Sequence, residues 1–419
     1  MTSTAPSFRE ALRFWLKLGL ISFGGPSGQI AIMHTELVEK KKWVSEERFL
    51  HALNFCMLLP GPEATQLATY CGWLLHRTWG GIVAGVLFVL PSVLFLWLLS
   101  FVYVSYGQVA WLGAAFHGLK PAVTAIVFAA VWRIGQRTLK NGFHWGIAGA
   151  AFVSLYFFRL PFPAVIGAAA LLGLFFKNKQ AKPPIISNTG LTESHPSLRQ
   201  TIKVIAISLA LWWTPVLVAG FYQGWSGTLA QLGLFFSRAA LVTFGGAYAV
   251  LPYVGQQAVE NYHWLSTAQM LDGLGLAETT PGPLIMVLQF VGFLGGWNQP
   301  GGLTPLTAAT LGAAMTTWTT FVPSFMFIFA GAPYLERLRH VTWLNHALSA
   351  VTAAVVGVIL NLAVWFGVHV FFPDHSKIDW YATVLATCAF IALHWFKVGV
   401  LVIIAGCAAL GVGRYLLLR

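Results

Sequence analysis

Displaced by 221 residues, the chain falls back on itself. Phe23-Gly24-Gly25 lands on Phe244-Gly245-Gly246, Trp43 on Trp264, Ser45 on Ser266, and Pro60-Gly61-Pro62 on Pro281-Gly282-Pro283. Residues 8–62 align with 229–283 without a gap over 55 positions, 14 of them identical. Further on, Pro91-Ser92 matches Pro323-Ser324 after an insertion of 11, and Ala122-Val123-Thr124-Ala125 matches Ala350-Val351-Thr352-Ala353. Chance likeness between apolar stretches does not hold one register through two glycine/proline motifs. The chain contains a duplication, so its fold is built from two like halves.

The solvent for those halves is lipid. Apolar residues make up 57% of the 419 positions and charged residues only 9%, against about 25% in soluble domains. So few charges cannot clothe a water-exposed surface of this size. Spans of about 20 apolar residues are needed to cross some 30 Å of hydrocarbon. Thirteen segments are candidates, 143–158 and 162–176 being short ones: 8–33, 49–75, 79–106, 119–135, 143–158, 162–176, 204–222, 229–255, 269–297, 304–330, 347–371, 379–396 and 398–417. The fold class expected is an all-α polytopic membrane protein. Residues 177–203, with Pro183-Pro184 and Asn188-Thr189-Gly190, read as a solvated linker. The domains are then 1–176 (first repeat), 177–228 (linker plus an extra central segment) and 229–419 (second repeat).

Seven crossings separate the starts of the two repeats, and an odd number turns the second half upside down. Inverted repeats with substrate at their interface characterise many secondary transporters. The first two segments of each half are broken by Gly and Pro and either cross or re-enter. Re-entry of 8–75 brings Lys40, Lys41, Lys42 and Arg48 to the inner side, where cationic loops are favoured.

Net charge is +12 with a pI near 9.7, which inner loops of a membrane protein account for. Nucleic-acid binding is not expected, because the run Lys40–Lys42 is flanked by Glu36, Glu39, Glu46 and Glu47. The four cysteines form no CxxC or Cys/His spacing, and the histidines no HExxH. No metal, cofactor or enzymatic chemistry is expected. The N-terminus lacks a signal-peptide pattern, so its first apolar stretch is read as retained.

The motifs carry the functional reading. Gly24-Gly25-Pro26 and Pro60-Gly61-Pro62 interrupt apolar spans, as do Gly245-Gly246 and Pro281-Gly282-Pro283. Proline removes a donor and glycine opens unusual backbone angles, so each should break its helix. The half-helix that follows starts with free N–H groups and a positive dipole end, which suits an anion. Lys17 and Arg238 each precede an FGG by six residues, and intramembrane cations usually face a cavity or partner. They are candidates to join the anion site. Asn54 and Gln66, near the first PGP, are candidate hydrogen-bonding residues; Gln29, Gln289, Ser22 and Thr243 are weaker ones, since such side chains often bond neighbouring helices. Glu63 follows Pro62, in a first turn where an acid is also a helix cap. Glu278 precedes Thr279-Thr280-Pro281 at a helix C-terminus, where dipole and burial both disfavour the ionised form. These two acids are the candidates for proton coupling, Glu278 the better placed.

FGGPSGQIAIM at 23–33, WVSEERF at 43–49 and LPGPEATQLATYCGWLLH at 59–76 resemble the chromate ion transporter family, as do TFGGAYAVLPYV at 243–254 and AETTPGPLIMVLQFVGF at 277–293. The resemblance covers essentially the whole chain, in the long form with both halves on one polypeptide. It implies a multi-pass permease of the bacterial plasma (inner) membrane that exports chromate and confers chromate resistance. It also implies energisation by protons or the membrane potential, and contact with sulfate, chromate's structural analogue. A homo-oligomer is left open. The halves differ where Pro26 becomes Ala247 and Glu63 becomes Leu284, so their roles should differ. A sulfate carrier that takes chromate incidentally, a passive anion channel and an intramembrane chromate reductase are the competing readings.

Overall fold

The structure is a computed structural model that describes residues 6–23, 25–107, 109–175, 197–334, 342–373 and 377–418. Gly24 and most of the linker, residues 177–196, lie outside the described residues. The described residues are α-helical with no strand, and six helices are long and apolar enough to cross a membrane.

The first half opens with α1 (Phe8–Ile21) and α2 (Gly25–His34), the latter running into a π turn, Thr35–Lys40. Then come α3 (Glu46–Cys56) and α4 (Glu63–Tyr106). At about 1.5 Å per residue neither α1 nor α2 spans some 30 Å alone, so the FGG break leaves half-helices. Helix α4 is a hairpin: at His76 and Arg77 the backbone leaves helical angles, with φ of −137° and 54°. Its two arms pack backbone to backbone through Gly72 and Gly80. The half closes with α5 (Ala110–Thr138), α6 (Gly142–Tyr156) and α7 (Phe162–Phe175).

The extra helix α8 (Leu198–Gln223) leads into the second half: α9 (Thr228–Val242), α10 (Ala247–Gln256) with a π turn at Gln257–Asn261, and α11 (Thr267–Thr279). A 3₁₀ turn, Leu284–Met286, opens α12 (Val287–Asn298), and α13 (Pro305–Gly331), α14 (Thr342–Phe371), α15 (Trp380–His394) and α16 (Val400–Leu417) follow.

The duplication extends to backbone detail. Ser22 ends α1 by bonding the Leu18 carbonyl at 2.6 Å, and Thr243 ends α9 by bonding that of Ala239 at 2.6 Å. After each π turn a residue takes positive φ, Lys42 at 51° and His263 at 52°. Ser45 and Ser266 then cap α3 and α11 by accepting from the third N–H of each helix. Each pair is 221 residues apart, so the two halves share one local code.

The halves are interlocked rather than side by side. Helix α5 of the first half packs on α15 and α16 of the second, and α14 of the second packs on α6 and α7 of the first. Glycines permit this: Gly118 of α5 meets the α16 backbone at Cys407 and Gly411, and Gly357 of α14 meets α6 at Ala148. Such close approach, rather than hydrophobic drive, joins helices in lipid. Large apolar side chains such as Leu94, Phe221 and Val402 cover the outside, which only a hydrocarbon solvent makes favourable.

Candidate functional site

Each PGP break pairs with the FGG break of the other half. The Gly61 N–H donates to the Thr243 carbonyl at 2.7 Å, and the Gly282 N–H donates to the Ser22 carbonyl at 2.8 Å. Donors and acceptors are both related by the 221-residue shift, so the contact is reciprocal. The geometry demands glycine, since Gly61 has φ of 127°, Gly282 106°, Gly25 70° and Gly246 90°. A side chain at Gly61 would place its Cβ 2.5 Å from Ser324 Oγ, and one at Gly282 would come 2.7 Å from Ser92 Cβ. Ser92 and Ser324 are the Pro-Ser pair of the repeat, so these contacts too cross from half to half.

Buried amides and hydroxyls surround the paired breaks. Gln29 Nε2 donates to the carbonyl of Gly282 and, at 3.4 Å, to that of Ser22. Gln66 Nε2 donates to the Pro60 carbonyl at 2.8 Å. Gln29 Oε1, Gln66 Oε1, Thr65 Oγ1, Ser92 Oγ and Ser324 Oγ are buried without a hydrogen-bond partner. Each such orphan costs about 1–3 kcal/mol, and five gathered around two helix breaks mark a place built for a polar guest. The helices starting there, α4 after Pro62, α10 after Gly246 and the 3₁₀ turn after Pro283, have no side-chain cap. No side chain takes up their first N–H groups, unlike those of α3 and α11, although the Ala249 and Met286 N–H groups donate to the Gly246 and Pro283 carbonyls.

The two candidate acids converge on the second FGG. The Glu63 carboxylate of the first half lies beside Gly246, its Oε1 3.8 Å from where a Cβ would stand. Among the described residues it makes no hydrogen bond or ion pair. Glu278 is 7% exposed, and its Oε1 accepts from the Tyr248 hydroxyl at 2.5 Å. Tyr248 lies in the first turn of α10, two residues after Gly246. Among the described residues the first FGG carries no such acid, and Gln29 bonds the Ser22 and Gly282 carbonyls there. The halves therefore differ in charge at their breaks, as the change from Glu63 to Leu284 foretells.

Lys17, Arg238 and Asn54 are not brought to this centre; all three are exposed. On α1 the buried face carries Phe14, Trp15 and Leu18, which turns Lys17 outward; on α9 Phe235, Phe236 and Ala239 do the same for Arg238. A long cationic side chain pays least where it can reach the polar interface. Gln289 bonds the Val93 carbonyl at 2.8 Å and lines an apolar groove of about 530 Å³ between α4 and α13. Tyr248, Ser92 and Ser324 were not legible as site residues, though the repeated Pro-Ser dipeptide marks the two serines. Among the described residues no group of three His, Cys, Asp or Glu could hold a metal ion.

Paired helix breaks, orphaned polar groups and interlocked duplicated halves in an apolar helical protein define a membrane transporter. Residues 9–174 and 230–412 match the family model described as chromate transporter, and the chain belongs to that family. It is 28% identical over 420 residues to a chromate transport protein of Cupriavidus metallidurans, covering 99% of this chain and 96% of that one. With a chromate transport protein of Pseudomonas aeruginosa it shares 34% identity over 361 residues, 84% of this chain and 79% of the other. A probable chromate transport protein of Synechococcus elongatus is 28% identical over 369 residues, covering 87% and 85%. No solved structure matches the chain.

Proposed function

We propose that this protein is a secondary active transporter that carries chromate, a tetrahedral dianion, out of the cytoplasm across the bacterial inner membrane and so confers chromate resistance. Sulfate is the competing ion of like shape. The reading rests on one observation above the others: four repeat-related breaks pair reciprocally across the halves and leave uncapped N–H groups and orphaned hydroxyls and amides together. The family and its chromate-named relatives support the choice of anion.

In this scheme residues 1–176 and 229–419 are inverted repeats, joined by the linker and α8 within 177–228. Their interface at the bilayer midplane is the binding centre. Gly24, Gly25, Pro26 and Pro60–Pro62 of one half, and Gly245, Gly246 and Pro281–Pro283 of the other, shape the breaks that form its walls. The prolines have no N–H to give, so backbone donors come from the helix starts that follow the breaks, and Gln66 supplies an amide. The exposed Lys17, Arg238 and Asn54 stand outside the proposed binding set. Glu63 and Glu278 couple transport to protons by simple electrostatics. A dianion at the second FGG is repelled by an ionised Glu63 and tolerated by a neutral one, so proton and anion are carried together, and the inside-negative membrane potential acting on the remaining single negative charge drives export.

Chromate flux into and out of proteoliposomes of the purified protein, with and without an imposed pH gradient and excess sulfate, tests this reading. Uphill chromate movement driven by the gradient and weakly inhibited by sulfate is the expected result. Strictly downhill, pH-indifferent flux means a channel, and preferential sulfate flux means a sulfate carrier.

A further inference from the structure

Six residues before Glu278, α11 carries a second acid that the helix breaks do not use. Asp272 is 4% exposed, and its Oδ2 accepts a hydrogen bond from the Tyr103 hydroxyl of α4 at 2.9 Å. Its Oδ1 is buried with no hydrogen-bond partner. The Lys120 ammonium of α5 stands 3.9 Å from that oxygen, beyond hydrogen-bond reach. Lys120 is not sealed in, for its side chain is 26% exposed and lines a cavity of about 260 Å³ together with His117, His369, Asp379 and the start of α11 at Thr267 and Ala268. A cavity with room for several waters, lined by titratable groups, thus ends one side chain away from a buried carboxylate with an empty acceptor.

A structural ion pair would close to contact, because a buried pair offsets its desolvation only with good geometry and filled hydrogen bonds. Nor does the duplicated frame require the group: the residue 221 positions before Asp272 is His51, and the helix of the second half equivalent to α5 has Leu348 where α5 has Lys120. An oxygen left open one side chain from a cavity with polar walls is suited to receive a proton. We propose that Asp272 is a second proton-binding carboxyl of this transporter, reached from water through the His117–Lys120 cavity, with Lys120 as its counter-ion. A proton from cavity water adds to Oδ1, the carboxyl becomes neutral, and Tyr103 keeps donating to Oδ2. The Lys120 ammonium, released from its partner, then turns to the cavity and takes an anion there.

The groups surrounding Asp272 are few. Tyr103 comes from α4, Lys120 and then His117 from α5, and His369 from α14. Asp379 precedes α15, with His117 Nε2 3.7 Å from its Oδ2. Arg414 of α16 lies over the Tyr381 ring at 4.3 Å, and α12 presents the Phe290 ring, 5.4 Å from that of Tyr103. Glu278 lies further along the same helix.

The coupling role rests on the proton-coupled reading above, whereas proton binding itself does not, and the experiment separates them. Infrared difference spectra of the full-length protein in liposomes, titrated between about pH 4 and pH 10 without chromate, should show a protonated-carboxyl band that Asp272→Asn lacks. With Cys388→Ser as background, since Cys388 is an exposed thiol, Ala268→Cys labelled with a membrane-impermeant thiol reagent should slow deuterium exchange of that band. In chromate flux, Asp272→Asn should lose at least tenfold of the stimulation by a pH gradient, and the double variant Asp272→Asn/Lys120→Met should stay uncoupled. No difference band, or a double variant restored to the wild-type pH profile, overturns the proposal in favour of a structural ion pair. A titrating Asp272 band in a protein that moves no chromate would sink the transport reading and leave proton binding standing.

Discussion

Replacing Gly61 by alanine tests whether the two halves meet through their breaks. With φ of 127°, an alanine there carries strain of about 1–3 kcal/mol. Its Cβ would also fall 2.5 Å from Ser324 Oγ, an overpacking cost of about 1–3 kcal/mol. The variant should therefore lose about 2–6 kcal/mol, seen as a Tm lower by several degrees in detergent and a matching loss of chromate flux. The two components separate by a second substitution. Ser324→Gly removes the closer of two contacts, the other being Gln66 Nε2 at 2.7 Å, and leaves the strain, so Gly61→Ala/Ser324→Gly should recover part of the packing share, a coupling of about 1 kcal/mol. Ser92→Gly, which faces Gly282 instead, should recover nothing beyond about 0.5 kcal/mol. For Gly282→Ala the rescuing and inert partners should exchange places. Equal rescue by both serines, or a Gly61→Ala variant as stable as the parent, would refute the cross-half pairing on which the site is built.

Glu63→Gln should raise chromate affinity by about tenfold or more at alkaline pH, one pH unit being worth 1.36 kcal/mol, and flatten its pH dependence; equilibrium binding of labelled chromate across pH measures both. Tyr248→Phe deletes the 2.5 Å hydrogen bond to Glu278, worth about 1.5–3 kcal/mol when the acceptor is charged. The pH profile of flux should move while chromate affinity at its optimum holds. Glu278→Gln should abolish gradient-driven accumulation with chromate binding retained, and unchanged accumulation would remove Glu278 from the coupling path. Moving a bare dianion across 100 mV yields about 4.6 kcal/mol, and half that if one proton travels with it. The limiting chromate ratio at an imposed potassium-diffusion potential should follow the smaller figure.

Much of this was legible in one chain because the signals are local. Proline and glycine break a helix by their own covalent structure wherever they stand, so FGG and PGP announced four interruptions. A repeated register announced that the interruptions came in pairs. The apolar composition announced an all-helical membrane protein, which the six long apolar helices bear out, and α4 starts directly after the Pro-Gly-Pro. Lys17 and Arg238 illustrate the limit. Their place six residues before FGG says how far along the helix they lie, but which way they point depends on what packs against Trp15 and Phe235.

By itself, then, the sequence determined the solvent, the duplication and the positions of the helix breaks, all of which follow from residue chemistry acting over a turn or two. The tertiary structure alone decided which break meets which, through contacts between residues some 180 to 260 positions apart such as Gly61 with Thr243 and Gly282 with Ser22. It likewise decided the exchange of final helices between halves and the meeting of Asp272 with Lys120. These depend on shape complementarity among small residues on helix faces, which an apolar sequence with little periodicity leaves unmarked. In lipid every face is apolar, so hydrophobicity cannot say which one is buried, and only close backbone approach and the pairing of orphaned polar groups choose among them.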